Sequence, residues 1–235
     1  MIKTNPLSGL KNFAARLRDN NSGIALIEFA FSLPVLMALG VTGTDTAMFV
    51  QKTQMVSQIA LTIADNASRI GENSVLQVKE VLETDIVDIM DGAIKQSADP
   101  DFLDRSRIFL SSVEYDPADN VPYIHWQRCD GTKDLVDVKS GHTKTFVSHY
   151  GKQGDGLNNN SLANGIGPAG RTVKPVPGRA LMYVEVQYDY QSLFGLNPFI
   201  DRSISSTAAM NVREIRSLTM PIQRNPGETV LDDCL

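Results

Sequence analysis

Ser22-Gly23-Ile24-Ala25-Leu26-Ile27-Glu28-Phe29-Ala30-Phe31-Ser32-Leu33-Pro34-Val35-Leu36-Met37-Ala38-Leu39-Gly40-Val41-Thr42-Gly43 is the stretch that decides how this chain is built. From Ile24 onward almost every residue is apolar or small, over about 20 residues, the length that carries a helix across a bilayer core. The run holds one full charge, Glu28, near its start. A carboxylate in hydrocarbon is costly enough that its retention asks for a partner. Pro34 lies inside the run, where it removes one backbone hydrogen bond and predicts a kink of the kind membrane helices tolerate.

Upstream, Lys3, Lys11, Arg16 and Arg18 stand against Asp19, so the segment before Gly23 carries +3. The net charge of the whole chain is −5, which leaves −8 on the remainder. A basic tip, an apolar span and an acidic body predict a cytoplasmic amino end and an exported body, since positive charge stays inside. The acidic body argues against nucleic-acid binding, which needs a basic face. Leu10, Phe13, Ala14 and Leu17 share one face of a short interfacial helix, and residues 19–23 read as a break after it.

Downstream the helical period continues. Phe49, Val56, Ile63 and Ile70 recur every seven residues, and Ile59, Ala60 and Ala67 widen the stripe. Gln51, Lys52, Gln54, Gln58 and Asp65 form its polar complement. This is one long amphipathic helix growing out of the span. Gly71 is a stop signal. Ser74 and Gln77 have the spacing of a capping box for a second helix, with Val75, Val78, Leu82, Ile86, Ile89 and Ala93 on its buried side and Ala98-Asp99-Pro100 at its end.

Past Pro100 the period becomes strand-like. Strands are expected over 107–115 and 121–129, with a turn at 116–120, and a short third over 135–138. Residues 151–178, rich in Gly, Asn and Pro, read as a long surface loop. The clearest strand covers 181–190: Met182, Val184, Val186, Tyr188 and Tyr190 face one way and Glu185, Gln187 and Asp189 the other. Residues 200–215 repeat the signal with Ile204, Ala208, Met210 and Val212. Such alternation predicts an antiparallel sheet of about four strands with one covered face.

Catalytic patterns are scarce, and no enzymatic activity is expected. His125, His142 and His149 lack the spacing of a metal-binding helix, so no metal site is expected from them. Gly165, Gly167 and Gly170 match G-x-G-x-x-G, yet no strand precedes them, no helix follows and Pro168 interrupts, so no dinucleotide cofactor is implied. Asp155, Asn158, Asn159 and Asn160 offer oxygens to calcium without the ordered acidic spacing of a calcium loop. The two cysteines, Cys129 and Cys234, suggest one disulfide in an exported body; the alternative is two free thiols.

The amino-terminal stretch admits three readings: a plain signal anchor, a cleaved secretory signal, or a processing site built on Gly23 and Glu28 together. In the last, a glycine precedes the apolar run, an acid stands five residues on and an aromatic, Phe29, follows it. This pattern resembles the processing site of type IV prepilins, especially the Flp-type branch. The basic leader, Glu28-Phe29-Ala30 at the start of the span, an internal proline, a continuing helix and a strand-rich carboxyl domain look like the TadE-like pseudopilins of tight-adherence (Tad) pilus machines. Phe29 stands where Flp-type pilins usually carry Tyr, and the longer body favours a minor subunit over a major one.

The resemblance implies an α+β fold: a pilin-like long amino-terminal helix, its first half transmembrane, and a second helix packed on an antiparallel sheet. Residues 1–23 become a basic cytoplasmic leader, 24–44 the transmembrane segment, 45–98 amphipathic helices and 99–235 a strand-rich extracytoplasmic domain. It also implies cleavage by a prepilin peptidase between Gly23 and Ile24, and a subunit-assembly role for Glu28 and Phe29. Glu28 would pair with the new α-ammonium of a neighbouring subunit, since burying either charge alone is costly. The implied partners are other pilins or pseudopilins, the peptidase and the bacterial inner membrane, with no small-molecule substrate. The alternative is a membrane-anchored periplasmic binding module that keeps its leader and uses the loop over 151–178.

Overall fold

The computed structural model of the chain describes residues 22–70, 81–136, 141–192, 203–213, 231 and 234. The expected interfacial helix, the Gly71 stop and the capping box at Ser74 and Gln77 lie outside these residues.

Helix α1, Ser22–Arg69, is a single element of 48 residues that runs through Pro34. At 1.5 Å per residue it is about 70 Å long, more than twice a bilayer core. Its two halves differ in what surrounds them. Residues 24–40 are exposed throughout, with Leu26 71% and Phe29 61% accessible. Helix α1 is thus long and apolar enough to cross a membrane, and among the described residues nothing buries its apolar window. Threonines near the end of this window turn their hydroxyls back onto the helix. Thr42 donates to Ala38 O at 2.8 Å and Thr44 to Gly40 O at 2.8 Å, which satisfies polar groups in an apolar setting.

The second half of α1 is docked. Val56, Ile59, Ala60, Ile63, Ala67 and Ile70 are all buried in the main core and Phe49 packs at its margin, the heptad-spaced stripe expected from the sequence. Each large aliphatic side chain buried there contributes about 1.5–3 kcal/mol of transfer free energy.

Helix α2 is Glu83–Lys95 and packs against α1 with Ile86, Met90 and Ala93 buried. It is shorter than the sequence suggested. Leu82, expected on its buried side, is an extended residue at the cap (φ −92°, ψ 147°), so a helix unbroken from Ser74 is ruled out. Glu83 supplies the physical reason. It is fully buried, and its carboxylate accepts from Arg128 Nε at 2.8 and 3.2 Å. The chain turns into the helix where that acid meets its cation.

A four-stranded antiparallel sheet has the order β2-β1-β5-β6, with β1 Ser106–Tyr115, β2 Pro122–Gly131, β5 Leu181–Asp189 and β6 Ser203–Asn211. The turn between β1 and β2 forms as the composition implied. Asp116 Oδ1 accepts from Ala118 N at 2.9 Å, and Asn120 takes the left-handed conformation (φ 54°) that asparagine tolerates. The third expected strand does not join this sheet. It is β3, Asp134–Val136, paired with β4, Thr143–Thr145, in a separate two-stranded ribbon.

Met182, Val184, Val186, Tyr188 and Tyr190, with Ile108, Leu110, Trp126 and Ile204, form the sheet side of the main core under α1 and α2. The other face was expected to be open, and it is not. Glu185 and Gln187 are buried there, beneath the segment that leads from β4 to β5. Leu162 and Ile166 of that segment bury against Val113, Ile124, Leu181 and Tyr183 in a second, smaller core. The approach is close: a Cβ at Gly156 (φ 93°) would lie 2.2 Å from Pro122 O, so only glycine fits. The architecture is α+β, with helices on one face of an antiparallel sheet and a long irregular cover on the other.

Candidate functional site

The sequence directed attention first to the start of α1. Gly23 is in the helix's first turn, exposed, with nothing within 4 Å of a Cβ placed on it. The break expected over 19–23 therefore excludes Ser22 and Gly23. Ile24, Glu28 and Phe29 are exposed on the free half of the helix, and Pro34 lies further along the same free half. The Glu28 carboxylate has no hydrogen-bond or ion-pair partner among the described residues.

Where the free half meets the head, a joint of polar side chains appears that sequence reasoning missed. Asp45 is 1% exposed. Tyr190 Oη donates to its Oδ1 at 3.2 Å and Ser192 Oγ to its Oδ2 at 2.7 Å. Phe49 sits edge-on to the Tyr190 ring at 5.3 Å. Two turns on, Lys52 pairs with Asp99, to which Tyr188 Oη also donates at 3.3 Å. Burial pushes the Asp99 carboxyl upward, but the Lys52 hydrogen bond and charge, with Asp101 N–H and Tyr188, hold it below the ordinary 3.8. Burial, then the Asp99 charge, drives the Tyr188 phenol up to about 12. The signal that marked this joint was Asp45 itself, an acid directly after the apolar span over 24–44.

The covered face of the sheet carries a second polar arrangement. Cross-strand register sets Ser111 between Gln127 and Tyr183, Phe109 between Cys129 and Glu185, and Arg107 between Gly131 and Gln187. Glu185 accepts from Ser148 Oγ at 2.9 Å, His149 N at 3.1 Å, His149 Nδ1 at 2.5 Å and Gln187 Nε2 at 2.7 Å. Gln127 donates to Ser111 Oγ at 2.8 Å and to Gly151 O at 3.2 Å. These bonds replace the water that the face would otherwise hold.

On the helix side of the sheet, Glu114 accepts from Ser112 Oγ at 2.9 Å and His125 Nδ1 at 3.0 Å. The Glu114 hydrogen bond raises the His125 pKa above 6.5; burial opposes it and the Glu114 charge adds to it. The serine hydroxyls Ser112 and Ser148 both donate to carboxylates, so neither is set against a histidine base as a nucleophile.

Asp155 Oδ2 accepts from Lys152 N at 2.9 Å, and Asn159 Oδ1 from Gly156 N at 3.2 Å and Ser161 N at 3.0 Å. These candidate calcium oxygens thus serve the loop's own backbone. Among the described residues no three His, Cys, Asp or Glu side chains gather as a metal set. Gly167 and Gly170 lie within the turn closed by the Ile166–Val173 bridge and Gly165 just before it, with no helix directly after the turn.

Cys129 and Cys234 are disulfide-bonded, Cα to Cα 5.4 Å, across 105 residues. Beside them a cavity of about 350 Å³ opens between the sheet and its cover, lined by Arg107, Phe109, Lys133, Phe146, Lys152 and Cys234 among others.

Among known proteins, no family model matches the chain, and no curated protein and no solved structure matches it.

Proposed function

We propose that this chain is a minor pilin or pseudopilin of the TadE-like kind, a structural subunit that initiates or tips assembly of a Tad-type adhesion pilus. The observation that carries the reading is the division of α1: one helix, half sealed into a folded head and half bare and apolar, with an acid near its free end that has no partner among the described residues. Before assembly the bilayer covers the bare half. In a fibre, neighbouring helices cover it, and Glu28 finds its counter-charge on the Ile24 α-ammonium of an adjacent subunit. The cytoplasmic leader is removed after Gly23 by a prepilin peptidase. The body is periplasmic until the subunit enters the pilus at the cell surface. The subunit's work is packing, and no reaction is assigned to it.

The cavity under the sheet's cover favours a second reading, a membrane-anchored periplasmic binding module that keeps its leader. Amino-terminal sequencing of the membrane form, from cells with a working prepilin peptidase, separates the two. A chain beginning at Ile24 supports the pilin reading. A chain beginning at Met1 overturns it.

A further inference from the structure

The apolar surface of α1 does not stop where the head begins. Asp45 is buried at the joint and Phe49 packs at the margin of the main core, so the head is already docked on the helix at residue 45. Around the rest of the helix Thr46 and Ala47 are exposed, with Met48 37% and Val50 48% accessible. The first exposed amide follows only at Gln51. The hydroxyls along this stretch are turned onto the helix itself: Ser32 donates to Phe29 O at 3.1 Å and Thr46 to Thr42 O at 2.7 Å, as Thr42 and Thr44 do to their own turns. Residues 45–50 therefore hold the head on one side and present an apolar surface on the other, over about 9 Å of helix axis.

Length identifies the cover. From Ile24 to Val50 the axis runs about 40 Å, and a bilayer with both headgroup layers is about 40–45 Å thick. One headgroup layer is about 5–8 Å deep, close to the overlap of head and apolar helix. No linker separates the apolar half from the head, because α1 is one helix from Ser22 to Arg69. The joint also suits a phosphate-rich layer, which repels an uncompensated acid. Asp45 takes the Tyr190 and Ser192 hydroxyls. Asp189, next in the chain to Tyr190, takes Lys144 Nζ at 3.1 Å, and the same ammonium reaches Ser203 Oγ at 3.3 Å. We infer that the base of the head, residues 45–50 of α1 together with Lys144 of β4, is seated in the headgroup layer of the bilayer. This seating rests on the proposed transmembrane reading of residues 24–44; it is a separate property of the head, since a spanning helix could equally carry a head clear of the lipid.

The test uses the full chain in phosphatidylcholine vesicles, with single cysteines introduced at exposed positions of α1 and labelled with a nitrobenzoxadiazole dye; both native cysteines are already paired. Leu36→Cys, Met48→Cys, Val50→Cys and Leu61→Cys are compared, with a nitroxide carried on either the lipid headgroup or the acyl chain. The label at Leu36 should be quenched by the acyl-chain nitroxide. Labels at Met48 and Val50 should lose most of their emission to the headgroup nitroxide. Leu61 is 52% accessible and about 16 Å beyond Val50 along the axis, so its label should keep its emission with both. Quenching at Leu36 with Met48 and Val50 as bright as Leu61 overturns the seating and leaves the span intact. An unquenched Leu36 overturns both. Emission at Met48 and Val50 that ignores the nitroxides and falls only as subunits are crowded in the vesicle assigns the surface to a second copy, and overturns the seating as well.

Discussion

Replacing Asp45 by alanine tests the joint between the bare helix and the head. The carboxylate is 1% exposed and receives two hydroxyl donors, Tyr190 at 3.2 Å and Ser192 at 2.7 Å. A hydrogen bond to a charged group contributes about 1.5–3 kcal/mol to stability. Two such bonds set an upper value, and three effects reduce it. The alanine no longer pays for desolvating a charge; Ser192 is only partly buried and regains water; and Tyr190 Oη keeps Asp45 O within 3.3 Å. The expected loss is therefore about 2 kcal/mol. Tyr190→Phe removes one donor and retains the ring contact with Phe49, so it should cost about 1 kcal/mol. Because both changes act on one network, the double variant should cost less than their sum.

The assay is urea unfolding of the full chain in micelles, followed by the fluorescence of Trp126, the single tryptophan, which lies in the same core as Tyr190. The slope with urea should stay constant while the midpoint falls, as for a change in stability alone. An Asp45→Ala midpoint within about 0.5 kcal/mol of the parent would refute the reasoning, since that is the range of a surface substitution. Strict additivity in the double variant would refute the shared network.

Two further outcomes follow from other acids of the chain. His125 has a pKa raised above 6.5 in the folded state by Glu114, so its stabilisation is complete below pH 6.5 and is lost as pH rises through the folded value. The urea midpoint should fall across that window in the parent and much less in His125→Gln; equal slopes in the two would dismiss the pair. Glu28→Ala should leave membrane insertion intact or improve it, because a carboxylate is unfavourable in hydrocarbon by up to about 3 kcal/mol. Fibre assembly, read from subunits recovered in sheared surface material, should fail, and unchanged recovery would remove the pairing role.

What the sequence disclosed and what it hid divide along one physical line. Phe49, Val56, Ile63 and Ile70 were legible because a helix packed on one side repeats its apolar residues at a fixed spacing, whatever covers them. The β5 residues Met182 to Tyr190 were legible for the same reason at period two. Burial of polar groups leaves no such trace. Glu185 and Gln187 alternate with apolar neighbours as solvent-facing residues do, and only the loop above reveals that Ser148 and His149 have replaced the water. The loop looked like a surface segment because its glycines dominate its composition. Yet Gly156 is glycine for the opposite reason: the backbone must come within a Cβ's width of Pro122.

Asp45 and Glu83 follow the same rule. Each is a charge at the edge of an apolar pattern, which a sequence alone reads as solvated, and each is buried because a specific donor meets it. Glu28 is the third acid at the edge of an apolar pattern and the only one of the three without a partner in the described chain. Asp45 and Glu83 are retained in buried positions by donors within the protein. By the same energetics, Glu28 on a bare apolar helix requires its donor from outside the described residues, and under the proposed function that donor is a neighbouring subunit's Ile24 α-ammonium. The bare apolar half of α1 alone would suit any anchor; its acid, set against the partnered Asp45 and Glu83, is what favours the proposed assembly over a plain anchor.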